Sequence, residues 1–144
     1  MRVLFLDIDG VLRTTGHIDI LEPALILNLK RIVEEAKVEI VLSSDWRKKF
    51  IDRQMVIDQL GFFGLKLFDC TSVRLSHRIR WCEIQEWLDE HKEVERFVIV
   101  DDDEDARIPD NPNTFFFTDW KKGLTKEKAD EIIKFFFPKI EKHL

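Results

Sequence analysis

The sequence predicts an α/β protein, a three-layer α/β/α sandwich around a mostly parallel central sheet of about five strands. Two observations carry that prediction. Short apolar runs of strand character alternate with segments of helical apolar spacing from one end of the chain to the other. Three of those runs end in polar residues: Asp7 and Asp9, Ser43 and Ser44, and Asp101 and Asp102. In a parallel sheet all strand C-termini open on one edge, where ligands bind. Three polar strand ends meeting at one edge are a far stronger signal than any one of them.

The elements follow in order. Val3–Leu6 reads as a buried strand leading into Asp7-Ile8-Asp9-Gly10. A loop at 10–21, with Thr15 and Gly16 as a turn signal, precedes a helix opened by Glu22-Pro23. Leu25, Ile26, Leu29, Ile32, Val33 and Ala36 share one face of it. Val38–Leu42 is a second buried strand, ending in Ser43-Ser44-Asp45-Trp46-Arg47. A helix through about residue 60 closes at Gly61. A short strand is expected at 65–68 and a helix at 83–91, with Ile84, Trp87 and Leu88 on one face. A strand at 97–100 runs into Asp101-Asp102-Asp103-Glu104-Asp105, and another is expected at 114–117. Thr125 begins a last helix that Pro138 ends, with Ala129, Ile132, Ile133 and Phe136 at helical spacing.

Length and composition bound the rest. The chain has 144 residues, which predicts one domain, 1–144. No apolar run approaches the ~18 residues of a membrane span. The first strand begins without a charged segment, apolar stretch and cleavage site before it, so a cytoplasmic protein is expected. Cys70 and Cys82 are isolated, in no metal-like spacing, and read as free thiols. A net charge of −5 argues against broad, sequence-independent nucleic-acid binding. Twelve Phe and no Tyr suggest a dry aromatic core.

The acids point to a hard cation. Carboxylates at 7, 9, 101 and 102 crowded at one edge repel one another unless Mg²⁺ neutralises them. Gly10 stands too early after Asp7 for a calcium-binding EF-hand loop. The plain alternatives are an Asp-Gly turn at 9–10 and an acidic capped turn at 103–105. Ser43 suits either a phosphate contact or a helix cap, and Ser44 with the N–H groups beside it allows both roles together. Arg74, Arg78 and Arg80 form a basic stretch that offers either a phosphate-binding cation or a solvated loop. For His17, in the loop after the first strand, a surface role is expected.

Taken together, these residues resemble the haloacid dehalogenase (HAD) superfamily of Mg²⁺-dependent phosphohydrolases, over nearly the whole chain. Asp7-Ile8-Asp9-Gly10-Val11 looks like its first motif and Ile40-Val41-Leu42-Ser43 like its second. Arg80 takes the place of the third-motif cation, with Arg78 as runner-up, and Val98–Asp102 with Asp105 looks like the fourth. The Ser43–Arg47 stretch, the Glu83–Leu88 helix, the triple Asp and Thr118-Asp119 before Gly123-Leu124-Thr125 are similar to a subgroup associated with bacterial and phage RNA-repair proteins. Arg80-Trp81 departs from the Arg-Gly usual there.

The resemblance implies roles. Asp7 is the nucleophile that forms an aspartyl-phosphate, and Asp9 is the acid/base. Asp7, Asp102 and Asp9 through its backbone carbonyl hold Mg²⁺. Ser43, Ser44, Arg80, Arg78 and Arg47 serve the substrate phosphate, and Asp101 and Asp105 stand behind them. Residues 11–37 and 45–79, the two sites where a cap domain could be inserted, are short, so an open crevice without a full cap is expected. An open crevice suits a phosphate on a macromolecule, such as a nucleic-acid end, with a partner repair enzyme left open. Trp46, Trp81 and Trp120 lie beside basic residues in sequence, the pairing that holds single strands. The competing readings are a phosphatase of proteins or small metabolites and a non-catalytic metal- or phosphate-binding regulatory domain.

Overall fold

The computed structural model describes residues 1–15, 20–72 and 79–138. Five strands form one all-parallel sheet: β1 (Arg2–Leu6), β2 (Val38–Leu42), β3 (Leu67–Cys70), β4 (Arg96–Asp101) and β5 (Phe115–Phe117). Their order is β3-β2-β1-β4-β5. Among the described residues four α-helices accompany them: α1 (Pro23–Ala36), α2 (Phe50–Phe62) and α3 (Arg80–Asp89) link successive strands, and α4 (Lys126–Phe136) follows β5. The expected α/β architecture is what the chain adopts.

The period-2 alternation of the strands sorts the core into two layers. Leu4, Leu6, Ile40, Leu42, Val98 and Val100 face α1, α2 and α4. Val3, Phe5, Val41 and Ile99 face α3 and the segment holding Ala106 and Ile108. The central strand β1 is fully buried at Val3, Leu4, Phe5 and Leu6, and each such side chain contributes about 1.5–3 kcal/mol. Across that strand Phe5 meets Trp87 edge-on at 5.5 Å.

Local signals place the helices. Pro23 starts α1 at a position where its missing N–H costs nothing. The Glu22 carboxylate is not a cap; it accepts hydrogen bonds from the Thr14 N–H and hydroxyl. Thr125 caps α4 through its hydroxyl, which accepts from Lys128 N–H at 3.1 Å. Gly61 does not close α2; it lies inside the helix, and the chain turns at Gly64, whose φ of +80° suits glycine.

Other boundaries differ from the sequence reading for tertiary reasons. Pairing on β2 begins at Leu67, with a register shift that leaves Phe68 unpaired, so β3 lies two residues later than 65–68. Helix α3 begins at Arg80, three residues before the expected start, which matters for the site below. The dry aromatic core is smaller than the Phe count implied. Phe5, Phe115 and Phe136 are buried, while Phe50, Phe62, Phe68, Phe117 and Phe137 are exposed. Cys70 and Cys82 are free thiols. Among the described residues no helix is long and apolar enough to cross a membrane.

Candidate active site

Sheet register builds the site. Leu6 pairs with Leu42 on one side and with Val100 on the other. The residues one step beyond, Asp7, Ser43 and Asp101, therefore stand side by side at the C-terminal edge. The ladder continues through them: Asp7 N–H donates to Val100 O at 3.1 Å, and Ser43 N–H donates to Leu6 O at 2.9 Å. In a parallel sheet, residues in register point the same way. Asp7 and Asp101 are thus delivered to one cleft of about 280 Å³, while Ser43 stays buried and is not among its walls. Its walls include Asp7, Asp9, Ser44, Asp45, Arg80, Asp101, Asp102, Asp103 and Asp105.

After β1 the chain makes a tight turn anchored on Ile8 O, which accepts from the N–H groups of Val11, Leu12 and Arg13. Gly10 is demanded there twice. Its φ is +82°, and a Cβ would lie 2.2 Å from Asp102 Oδ2. Asp102 can approach the first turn this closely because position 10 has no side chain. The Thr118 hydroxyl donates to Gly10 O at 2.8 Å and fixes the turn from the β5 side.

Carboxylate oxygens of Asp7, Asp101 and Asp102 lie within 4.8 Å of one another. Burial pushes the Asp7 carboxyl well above the usual carboxylate range, and the Ile8 N–H and the Arg80 charge only partly offset it. Asp101 is pushed up by burial and by the charge of Asp7. Asp101 Oδ1 accepts from Asp103 N–H at 3.0 Å, but its buried Oδ2 has no donor among the described residues. The Asp7 carboxylate beside it is a second acceptor, so the pair is relieved only by a shared proton or a cation. The set fits a hard divalent cation: all donors are carboxylate oxygens, Asp7 and Asp101 are buried and Asp102 partly so, and one Asp101 oxygen lacks a donor among the described residues.

The sign of the resulting pH dependence follows. The Asp7–Asp101 pair keeps a proton in the metal-free native state at pH values where the unfolded chain has lost it, so stability falls as pH rises above the ordinary carboxylate range. The metal-free protein is expected to melt at a lower temperature at pH 8 than at pH 5. Asp101→Asn should flatten that slope, and Mg²⁺ should raise the melting temperature more at pH 8. A melting temperature that climbs from pH 5 to pH 8 in the wild type would contradict the shared-proton arrangement.

Arg80, the first residue of α3, supplies the cation of the cleft. It donates to Asp45 Oδ1 at 3.0 Å and lies 3.4 Å from Glu83 Oε1. Burial works against its charge, but Asp45, Asp7 and Asp101 outweigh that and keep it protonated. Asp45 is raised by burial, yet its hydrogen bonds from Lys48 and Arg80 prevail and hold its carboxyl low. Asp105, raised by burial and by Asp103, faces the Arg80 backbone N–H and so touches the helix start rather than the cation's tip. Arg78, Arg74 and His17 lie outside the described residues.

Several expectations need correcting. Arg47 does not reach the cleft. It is 2% exposed, and its guanidinium donates to Thr71 O, Ser44 O, Ser72 O and Glu83 Oε2 at 3.0, 2.8, 3.2 and 2.7 Å. With those acceptors around it, Arg47 is a pillar beneath the Asp45–Arg47 turn, not a phosphate ligand. Asp101 stands in the carboxylate cluster itself rather than behind it. The Asp9 carboxylate is outside the cluster, bonded to Arg13 Nη1 and to Trp46 Nε1. Ser43 is fully buried, and its hydroxyl has no partner among the described residues. Ser44 is buried as well, its hydroxyl accepting from Trp46 N–H at 3.2 Å, so it caps the 3₁₀ turn at Asp45–Arg47. Trp81 packs partly into the core layer on the α3 side, whereas Trp120 is 58% exposed with Lys121 against its ring.

Sequence reasoning passed over Glu83 and Asp45. The one available signal for Glu83 was its place beside Ile84 and one turn before Trp87, a charge on a buried helix face that requires a partner.

A parallel sheet in this order, with paired aspartates beyond β1 and further acids beyond β4, defines a HAD-like domain of Rossmann-type α/β architecture, the class that points to phosphohydrolase chemistry. The chain belongs to the family described as the HAD domain in Swiss Army Knife RNA repair proteins, whose model matches residues 3–129. No curated protein matches the chain.

Proposed function

We propose that this domain is a metal-dependent phosphatase that works through an aspartyl-phosphate on Asp7 and removes a terminal phosphate from nucleic acid. The observation that carries the reading is the placement of Asp7. It is buried at the end of the central strand, beside the Asp101 and Asp102 carboxylates and within the field of Arg80.

Asp7, Asp101 and Asp102 would hold the cation, for which Mg²⁺ is the proposed identity. When bound, it neutralises the carboxylates and the phosphate charge. The side chains divide the remaining work. An Asp7 oxygen attacks phosphorus, and the bond from phosphorus to the leaving oxygen breaks. Asp9 gives that oxygen a proton. Water then attacks the phospho-aspartate, passes a proton to Asp9, and the bond to Asp7 breaks. Arg80, which lines the cleft, suits the non-transferred phosphate oxygens.

Two observations favour a nucleic-acid end as substrate. The family description refers to RNA repair proteins. Exposed Trp120 with Lys121, and Trp46 with Arg13, provide aromatic and cationic groups of the kind that hold single strands. The test is phosphate release, with and without Mg²⁺, from p-nitrophenyl phosphate, 3′- and 5′-phosphorylated oligoribonucleotides, a phosphopeptide and sugar phosphates. Mg²⁺-dependent release with the highest kcat/KM on an oligonucleotide is expected. Preference for the peptide or a sugar phosphate would replace the substrate class. Metal binding without release from any of them would favour a regulatory binding domain.

A further inference from the structure

The two aspartates of the first turn are separated by their partners, and the partners of Asp9 have no role in the chemistry described so far. Asp9 Oδ2 accepts from the Trp46 indole N–H at 3.0 Å, and Oδ1 accepts from Arg13. The Arg13 guanidinium in turn lies over the Trp46 ring, 5.3 Å from its centroid. The three side chains therefore close on one another, one contact per pair.

Both donors stand on rigid supports. Arg13 ends the turn anchored on Ile8 O, and its carbonyl accepts from Gly10 N–H at 2.8 Å. Trp46 sits in the 3₁₀ turn capped by Ser44 and held from below by buried Arg47 and Glu83. Its ring also packs on the core layer of α1, α2 and α4. An aspartate that is more than half exposed would otherwise sample several rotamers.

We propose that Arg13 and Trp46 are positioning residues for the acid/base Asp9, fixing its carboxylate at the mouth of the cleft and out of the carboxylate cluster. The inference rests on the acid/base reading of Asp9. Each Asp9 oxygen keeps a lone pair beyond the donor it already has, so the carboxylate can face a third group in the cleft without leaving its two partners. Fixing it matters because a general acid works only within hydrogen-bond reach of the departing oxygen. The arrangement also gives chemical content to the Trp46 of the Ser43–Arg47 stretch. Its ring is an arm for Arg13, and its N–H is a donor for Asp9.

The leaving group supplies a test that a merely structural role would not pass. p-Nitrophenolate departs without a proton, whereas an alkoxide needs one. The measurement is kcat/KM, which reports the step that expels the leaving group and not the later hydrolysis of the phospho-aspartate, on p-nitrophenyl phosphate and on an alkyl monoester, glycerol 2-phosphate, for wild type, Asp9→Asn, Trp46→Phe and Arg13→Gln. Trp46→Phe keeps an aromatic ring for packing and stacking, and removes the N–H together with part of the indole's area. Asp9→Asn should lower kcat/KM on the alkyl ester by about a hundredfold or more and affect the aryl ester far less. Trp46→Phe and Arg13→Gln should each show the same selectivity at about tenfold, the lower end for a lost hydrogen bond to a charged group. Equal losses on both esters in Asp9→Asn would overturn the acid/base reading and this inference with it. A selective loss in Asp9→Asn, with equal or absent losses in both Trp46→Phe and Arg13→Gln, would overturn the positioning role alone. Circular dichroism and melting curves identify any variant that has lost its fold, and the other variant then decides.

Discussion

Asp7→Asn is expected to lower phosphate release by at least about 10⁴-fold while leaving the fold intact. The substitution keeps the shape of the side chain but removes its nucleophilic oxygen anion. It also removes one charge from a buried cluster that repels itself, so the metal-free variant should be at least as stable as wild type near pH 8. Loss of activity with unchanged circular dichroism and an unchanged or higher melting temperature is the expected pair of results. Activity near wild type would end the assignment of Asp7 as nucleophile. A collapse of stability would instead mean that the Asp7 carboxylate holds the strand ends together. The hydrogen bonds argue otherwise, because backbone groups carry the ladder across this edge.

The second large effect concerns stability. Arg47→Met should destabilise the protein by about 3–5 kcal/mol, the range for removing one partner of a buried ion pair. Arg47 answers three backbone carbonyls as well as Glu83, and methionine answers none of them. Lysine is a poor substitute, because its single ammonium cannot span acceptors arranged around a planar fork. Adding Glu83→Leu to Arg47→Met should recover part of the loss, since the stranded carboxylate goes with it. Urea denaturation of the two single variants and the double variant checks this. If Arg47→Met costs under about 1 kcal/mol, the range of a surface pair, the buried network is wrongly drawn. Glu83 also faces Arg80 at 3.4 Å, so its loss should weaken the cleft cation's seat as well as the core.

These two residues show where sequence suffices and where it does not. Asp7 was legible because the strand before it is continuous apolar chain, and an acid after such a strand has few inexpensive explanations. Arg47 was misread because a basic residue just beyond a polar strand end, followed by Lys48 and Lys49, looks like a rim cation. Nothing within five residues of it in sequence reveals Glu83, Thr71 or Ser72 as its partners. Asp101 and Asp102 were likewise legible as a pair, but not that Asp101 joins Asp102 in the cluster instead of standing behind it. Register decided that: Asp101 follows Val100, which pairs with Leu6, so Asp101 stands level with Asp7.

By itself the sequence determined the α/β architecture, the strand-to-helix alternation and the clustering of acids at strand ends. These depend on local periodicity and on the hydrophobicity of neighbours along the chain. The tertiary structure alone decided the strand order, the burial of Arg47 against Glu83, the start of α3 at Arg80 and the separation of Asp9 from Asp7. Each depends on contacts between residues distant in sequence, whose energies arise only once the sheet register sets which side chains meet.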